Sequence, residues 1–290
     1  MRSLSRFLAV LALVAALPAS MALAAPAATV EAVQAPAWRD RGGRSVPLEP
    51  GMEIKSGDVL RTGPGARAYL LLAEGSRVKL GESARFTLHS RSLHPEKAFR
   101  AALDVLVGAF RYTTGKLKKA MPREVAIRVG TATIGVRGTD LWGRTDKDGE
   151  LVALLEGRIE LTRAGQSTEM AEAMTYYDAP AGKVAEVKAL DPEVFARLAR
   201  QTEIVAGDGA SGLKGQWKVL VGAAATQPAA LEIYDEARGA GFPARIKPLP
   251  AEGDNWRYEV VIGGFATATE AEVAAARLKA ATELTPTVRR

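Results

Sequence analysis

The sequence predicts a two-domain protein, in which an N-terminal all-β domain, either a sandwich or a short β-roll, precedes a smaller C-terminal α+β domain. Glycine-containing turns recur at short intervals through the first two thirds of the chain, as they do in all-β folds. A similar segment then occurs twice, as residues 217–226 (WKVLVGAAAT) and 258–267 (YEVVIGGFAT), with a helical pattern after each copy. A glycine-rich stretch separates the two regions and predicts the domain boundary.

The first 24 residues have the features of a secretory signal peptide. Two arginines precede the apolar residues 7–17, and small residues at positions 22 and 24 fit cleavage after Ala24. An uncleaved membrane anchor is the alternative, although the apolar run must be extended to Ala25 before it approaches the roughly 20 residues needed to span a bilayer, and it then contains Pro18 and Ser20. We therefore expect an exported protein with no membrane span after cleavage. Because the chain has no cysteine, its core alone must stabilise the exported protein.

Charge is unevenly distributed along the chain, whose formal net charge is +6. Residues 77–123 contain eleven basic and three acidic residues, whereas the following stretch to Asp208 is acidic. Two interpretations are open: two solvated faces of one domain that attract each other, or a basic patch for an anionic envelope polymer or acidic partner. We do not expect nucleic acid as a partner, because the chain is predicted to be exported and only 6% of its residues are aromatic.

The N-terminal domain is expected to extend over residues 28–190. Its short segments are rich in Val, Ile, Leu and aromatic residues, and several alternate polar with apolar residues, which is typical of half-buried strands. Candidate strands are 77–80 and 84–88, together with 151–155 and 158–161, which flank Glu156 and Gly157 as a candidate hairpin.

A helix and a linker are expected to connect the two domains. The helix is predicted within residues 191–204, with Asp191 as its N-cap and Pro192 as its first residue. Residues 205–213 (VAGDGASGL) are small, polar and rich in glycine, and so predict a flexible linker. The second domain then extends over residues 214–290.

Four segments of the N-terminal domain resemble the FecR domain in order and spacing. They are residues 57–63 (GDVLRTG), 70–76 (LLLAEGS), 134–140 (IGVRGTD) and 155–159 (LEGRI). The resemblance implies a periplasmic all-β module, best known from regulators that relay a signal from an outer-membrane receptor to a cytoplasmic sigma factor. Because nothing precedes the signal-like segment, we expect the exported stand-alone form of this module, whose ligand stays open.

The third of these segments contains a candidate structural turn formed by Gly135, Arg137, Gly138 and Asp140. Arg137 and Asp140 either bind a ligand together or form an internal ion pair, with the glycines allowing close approach of the backbone. We favour the ion pair, and we expect Arg137→Ala to lower thermal stability more than any binding function.

The second domain is predicted to be a ferredoxin-like βαββαβ unit, with both helices on one face of its sheet. Alternation along the strands directs Trp217, Val219 and Val221 towards the helices, together with Tyr258, Val260 and Ile262. The expected strands are 216–221, 244–248 and 257–263, with a candidate fourth at 286–289, and the expected helices are 228–239 and 269–281.

The opposite face of this sheet is our candidate binding surface. It combines cations with one acid and one aliphatic side chain, which suits a sugar polymer, because sugar hydroxyls need hydrogen-bond partners and sugar rings need apolar contact. The alternative is a face that is merely solvated. The candidate glycan-binding residues are Lys218, Leu220, Arg245, Lys247, Arg257 and Glu259, with Trp256 at the rim.

The repeated segments WKVLVG and YEVVIGGF resemble the paired signature of the SPOR domain, over nearly all of residues 216–288. The resemblance implies binding of peptidoglycan glycan strands stripped of their stem peptides, through the open sheet face, and often a location at the division site. Two positions depart from the family pattern, since its usual Gln falls at Leu220 and its usual Arg falls at Glu259. Arg257, one pleat away on the same face, is a candidate replacement for the missing cation.

The sequence contains no pattern that predicts catalysis. Its two histidines, His89 and His94, have neither metal-ligand spacing nor a triad arrangement around them. We expect no enzyme activity, no metal and no cofactor. The favoured function is a periplasmic envelope protein that binds peptidoglycan through its C-terminal sheet while the β module engages a second envelope component. The alternative is a protein-binding regulator or assembly scaffold whose SPOR-like domain has lost glycan binding.

Overall fold

The computed structural model describes residues 26–92, 99–115, 123–253 and 255–290, so the expected signal peptide, residues 1–24, lies outside the described residues. Strands predominate, and the described residues up to 190 contain fifteen strands and no helix. These strands are β1 (Ala28–Gln34), β2 (Ala37–Arg41), β3 (Arg44–Pro47), β4 (Glu53–Ile54), β5 (Val59–Thr62), β6 (Arg67–Leu72), β7 (Arg77–Leu80), β8 (Arg85–Ser92), β9 (Phe99–Thr113), β10 (Arg123–Val129), β11 (Ala132–Asp146), β12 (Gly149–Arg163), β13 (Gln166–Met170), β14 (Thr175–Pro180) and β15 (Glu186–Ala189).

Three long strands, β9, β11 and β12, form the centre of the N-terminal region. β11 pairs antiparallel with β12 and, through its second half, with β9, while β10 pairs parallel with the first half of β9. Alternate side chains along these strands are buried, and the core includes Phe86, Phe110, Tyr112 and Leu141. The expectation of a β-rich N-terminal region is therefore confirmed.

The hairpin expected around Glu156 and Gly157 is wrong, because both residues lie inside the continuous strand β12. At this point the register between β11 and β12 shifts, which marks a β-bulge. Gly157 has φ +91°, and a Cβ at this position would lie 2.3 Å from the carbonyl oxygen of Gly138. The glycine thus permits close approach of two strands in mid-sheet rather than a chain reversal.

The first helix, α1 (Pro192–Ala199), is shorter than expected but begins where the sequence predicted. The Asp191 carboxylate accepts hydrogen bonds from the backbone N–H groups of Glu193 and Val194, and so caps the helix. Its apolar side packs with Phe195 against a small cluster centred on the fully buried Trp142. α1 is therefore docked on the N-terminal sheet.

The C-terminal unit alternates strands and helices as expected. β17 (Trp217–Ala224), β19 (Trp256–Phe265), β18 (Arg245–Pro250) and β20 (Thr287–Arg289) form an antiparallel sheet in the order β20–β17–β19–β18. The helices α2 (Gln227–Gly239) and α3 (Ala268–Ala281) pack on one face. Their core contains all six strand residues predicted to face the helices: Trp217, Val219, Val221, Tyr258, Val260 and Ile262.

Residues 205–213, expected as a flexible linker, form a paired connection between the two regions. They contain β16 (Ala210–Gly212), which pairs with β1 of the N-terminal region and, through Ser211 opposite Phe265, with β19. Strand pairing uses only backbone groups, so small side chains did not prevent it. The two sheets are consequently joined edge to edge.

Side chains from the C-terminal unit reinforce this junction. The Glu270 carboxylate, near the start of α3, accepts hydrogen bonds from the backbone N–H groups of Gly207, Gly209 and Ala210. Arg277 of α3 donates to the carbonyl oxygen of Gly65 at 2.9 Å. At Gly241, an added Cβ would lie 2.5 Å from the ring of Trp38, so α2 ends directly against the N-terminal region.

Candidate functional site

The face of the C-terminal sheet opposite α2 and α3 carries six of the seven predicted glycan-binding residues. Register places Lys247 of β18 opposite Glu259 of β19, and Leu220 of β17 opposite Val261 of β19. Because neighbouring side chains in a strand point to opposite faces, these residues share one surface. We call this surface, formed by β17, β18, β19 and β20 on the side away from the helices, the open face. It carries Lys218, Leu220, Arg245, Lys247, Arg257 and Glu259.

Trp256 is the predicted site residue that the fold does not bring to the open face. Along β19, the Trp256 side chain points to the same side as those of Tyr258 and Val260, which lie in the core shared with the helices. The Trp256 side chain is 51% exposed at the end of the strand, where it is paired opposite Pro250. Its assignment to the rim of the open face is therefore corrected to the helix side of the sheet.

The acid at the centre of the open face, Glu259, is buried. Its side chain is 4% exposed and forms ion pairs with Arg257, at 2.5 Å, and with Arg289 of β20. Arg289 contacts both carboxylate oxygens, which is the bidentate geometry that favours arginine over lysine. Hydrogen bonds from Arg289, followed by the charges of Arg289 and Arg257, hold the pKa of Glu259 below its ordinary value against the opposing effect of burial.

Arg289 is a residue of the open face that the sequence analysis missed. β17 lies between β19 and β20, so the Arg289 side chain crosses β17 to reach Glu259. Val261, in the same region of the face, is only 4% exposed. A signal was available in the sequence, because residues 286–289 were expected as a strand of this sheet; in the structure Arg289 is paired opposite Lys218.

The remaining cations of the open face differ in how freely they can bind a ligand. Arg245 is paired at 2.7 Å with Glu49 of the N-terminal region, which neutralises it at the margin of the surface. Lys247 is exposed, and Lys218 and Leu220 are partly exposed. The surface thus combines accessible cations with an aliphatic side chain.

The expected structural turn of the N-terminal region is a strand segment, since Gly135, Arg137, Gly138 and Asp140 all lie within β11. Asp140 pairs with Arg111 of β9 at 2.7 Å and not with Arg137. Arg137 is exposed and lies opposite Arg158 of β12. The predicted ion pair between Arg137 and Asp140 is therefore wrong, because alternation and the bulge after Arg137 turn the two side chains to different neighbours.

A second polar cluster ties the end of the α1 segment to the N-terminal sheet. Glu203 accepts hydrogen bonds from Lys79, Arg111 and Tyr69. Burial opposes ionisation of Glu203, but the hydrogen bonds from Lys79 and Tyr69 and the charges of Lys79 and Arg111 together outweigh it and lower its pKa. Burial raises the pKa of Tyr69. Basic residues of 77–123 thus pair with acids that follow them, which favours the interpretation of two mutually attracting charged regions.

Two further searches concern the part of the chain that the structure describes. Within residues 26–92, 99–115, 123–253 and 255–290, no group of three or more His, Cys, Asp or Glu residues could hold a metal ion. No helix of that same part has the length and apolar character needed to cross a membrane.

Comparisons with known families identify both regions of the chain. Residues 58–160 match the FecR protein model, and residues 213–290 match the SPOR domain model. No curated protein matches the chain.

Two crystal structures from Parabacteroides distasonis ATCC 8503, each described as a putative anti-sigma factor, are distantly similar in shape. The first, at 10% identity and a TM-score of 0.40, covers 63% of this chain and 75% of that chain. The second, at 10% identity and a TM-score of 0.37, covers 68% of this chain and 96% of that chain.

Proposed function

We propose that this chain, which carries a FecR region at residues 58–160 and a SPOR domain at residues 213–290, is a non-enzymatic periplasmic protein that binds peptidoglycan. The SPOR match carries the proposal, because that family binds glycan strands stripped of their stem peptides. In this proposal the strand lies across the open face of a ferredoxin-like unit. The FecR region engages a second envelope component, and the protein acts where stripped glycan accumulates, including the division site.

The chemistry of the open face supports this ligand. Lys218 and Lys247 supply hydrogen-bond donors to hydroxyl and amide oxygens, and Leu220 supplies apolar contact for a sugar ring. The edge of the sheet is less suited to binding, because Pro248 and Pro250 of the edge strand β18 have no N–H to donate to an added strand. The face rather than the edge is therefore the proposed contact.

The paired connection at β16 shapes how the two regions act together. A flexible tether would act by raising the local concentration of the second region. A sheet joined edge to edge, with Glu270 holding the connection, instead presents the FecR region in a defined orientation relative to the wall strand. We infer that the second envelope component is engaged at a fixed distance from the glycan.

A second candidate function is a protein-binding regulator or scaffold. It is favoured by one observation: Glu259 and Leu220 occupy positions where the SPOR resemblance implies Arg and Gln, so two polar contacts to glycan are replaced. In that case the open face contacts another protein and has no affinity for glycan.

Co-sedimentation with purified sacculi separates the two candidates. We expect the protein to bind sacculi treated with an amidase, which strips stem peptides, more strongly than untreated sacculi. The double variant Lys218→Glu/Lys247→Glu should lose this binding, because both changes place negative charge on the open face. Lys279→Glu is the matched control, since Lys279 is exposed on α3, on the other side of the sheet. Equal or absent binding to the two kinds of sacculi favours the scaffold.

A further inference from the structure

A carboxylate held between two arginines occupies the centre of the open face. Glu259 is almost fully buried, yet Arg257 and Arg289, its partners, keep 57% and 36% of their side chains exposed. Within the described residues, Glu259 is the one carboxylate to which either arginine is paired. The carboxylate of Glu259 is therefore buried beneath the open face, whereas the guanidinium groups of Arg257 and Arg289 are accessible to solvent on it.

Both guanidinium groups retain donors for a ligand. Three hydrogen bonds connect them to Glu259: one from Arg257 and two from Arg289. Most of their N–H groups are therefore free, since a guanidinium has several donors fixed in one plane. A guanidinium that is already anchored on one edge loses less conformational entropy when it binds an anion with another edge.

The charge of the surface favours an anion. Arg257 and Arg289 outweigh Glu259 by one positive charge, and Lys218 and Lys247 add two more. Arg245 contributes little, because Glu49 neutralises it. A neutral polymer would make no use of this excess, whereas a polymer with regularly spaced carboxylates would.

We propose that Glu259 is a positioning residue, which holds Arg257 and Arg289 as a cradle for carboxylate groups carried by the bound strand. The inference rests on the proposed function, namely that the open face binds stripped glycan. Hydrolysis of the amide that joins a stem peptide to muramic acid frees one lactyl carboxylate on the sugar. The stripped strand therefore presents a row of anions, and the intact strand presents amides at the same positions. The cradle supplies a reason for discrimination between the two.

The test measures binding of the full protein to two forms of one probe: stripped glycan strands, and the same strands with their carboxylates converted to neutral methylamides. We expect affinity for the amidated strands to be lower by about tenfold, because the charge-assisted bidentate contact is lost. Equal affinity for both forms would overturn the cradle while leaving the proposed function intact. Absence of binding to either form overturns both.

Glu259→Gln gives a readout that simple electrostatics cannot imitate. The substitution makes the open face more positive. If Glu259 merely competed with the ligand for the two arginines, its removal would strengthen binding to carboxylated strands. A positioning acid predicts the reverse, a loss of about tenfold, because the guanidinium groups repel each other and lose their fixed orientation. Stronger binding by Glu259→Gln contradicts the proposal.

Arg289→Gln keeps the test decisive if Glu259→Gln folds poorly. We expect this variant to bind both forms of the strand with the same low affinity. Its control is Arg290→Gln, which removes the same charge from the neighbouring exposed residue and should leave the preference for carboxylated strands unchanged. Loss of the preference in both variants would contradict a specific role for Arg289.

Discussion

Glu270 is the side chain on which the connection between the two regions most depends. The residue is 8% exposed, and its carboxylate accepts hydrogen bonds from three backbone N–H groups, those of Gly207 at 2.7 Å, Gly209 at 2.5 Å and Ala210 at 2.8 Å. Glu270→Ala leaves all three donors without this acceptor, at about 1 kcal/mol for each. We therefore expect a loss of about 3 kcal/mol in the free energy of unfolding. Such a loss lowers the melting temperature by roughly 5 °C in a protein of this size.

Urea unfolding monitored by tryptophan fluorescence measures this loss, and limited proteolysis locates it. Cleavage within residues 205–213 should become faster in Glu270→Ala, because the connection is no longer held against α3. Glu272→Ala is the matched control, since Glu272 is exposed on the same helix and its removal should cost less than about 0.5 kcal/mol. If the two variants unfold at the same urea concentration, the connection is not held by Glu270 and our account of the junction is wrong.

Three further predictions concern stability. Arg137→Ala should change the free energy of unfolding by less than about 0.5 kcal/mol, because Arg137 is exposed. Asp140→Asn should cost about 2 kcal/mol, because it leaves Arg111 without its bidentate partner. Equal effects of the two substitutions in urea unfolding would support an ion pair between Arg137 and Asp140 instead. Gly157→Ala should cost at least about 2 kcal/mol, because φ +91° and the nearby Gly138 carbonyl both oppose a Cβ, and a wild-type melting temperature would contradict the bulge. The lowered pKa of Glu259 means that its stabilising contribution is complete above the ordinary value of 4.5 and is lost as pH falls through the lower folded-state pKa. The difference in the free energy of unfolding between wild type and Glu259→Gln should therefore shrink from pH 7 to pH 3. A difference that stays constant over this range would contradict the stabilising role of the ionised Glu259.

The C-terminal unit could be predicted from the sequence because its signals are local. Two-residue alternation assigned Trp217 and Val219 to the helix side, and glycines and prolines marked the ends of its elements. Trp256 was misplaced because it lies just before the expected strand 257–263, so the alternation rule was not applied to it. Arg289 was missed because its partner, Glu259, lies thirty residues earlier and is reached across a strand.

The N-terminal region was less predictable, because glycine has more than one structural use. A glycine at a turn and a glycine at a mid-strand bulge have the same local sequence pattern, so the bulge at Gly157 was taken for a hairpin. Strand pairing by β16 uses backbone groups alone, and composition therefore pointed to a flexible linker. The prediction of the ion-pair partner of Asp140 was wrong for a different reason. Arg111 is distant from Asp140 in sequence, and only the pairing of β9 with β11 brings the two residues together.

The most direct test of the central claim is to map the contact surface by NMR, by following backbone amide shifts of the full protein as stripped glycan strands are added. The account predicts shifts concentrated in β17, β18, β19 and β20, with side-chain signals of Arg257 and Arg289 among those that change. Shifts confined to α2 and α3 or to the N-terminal strands, or no shifts at saturating strand concentration, would contradict binding on the open face.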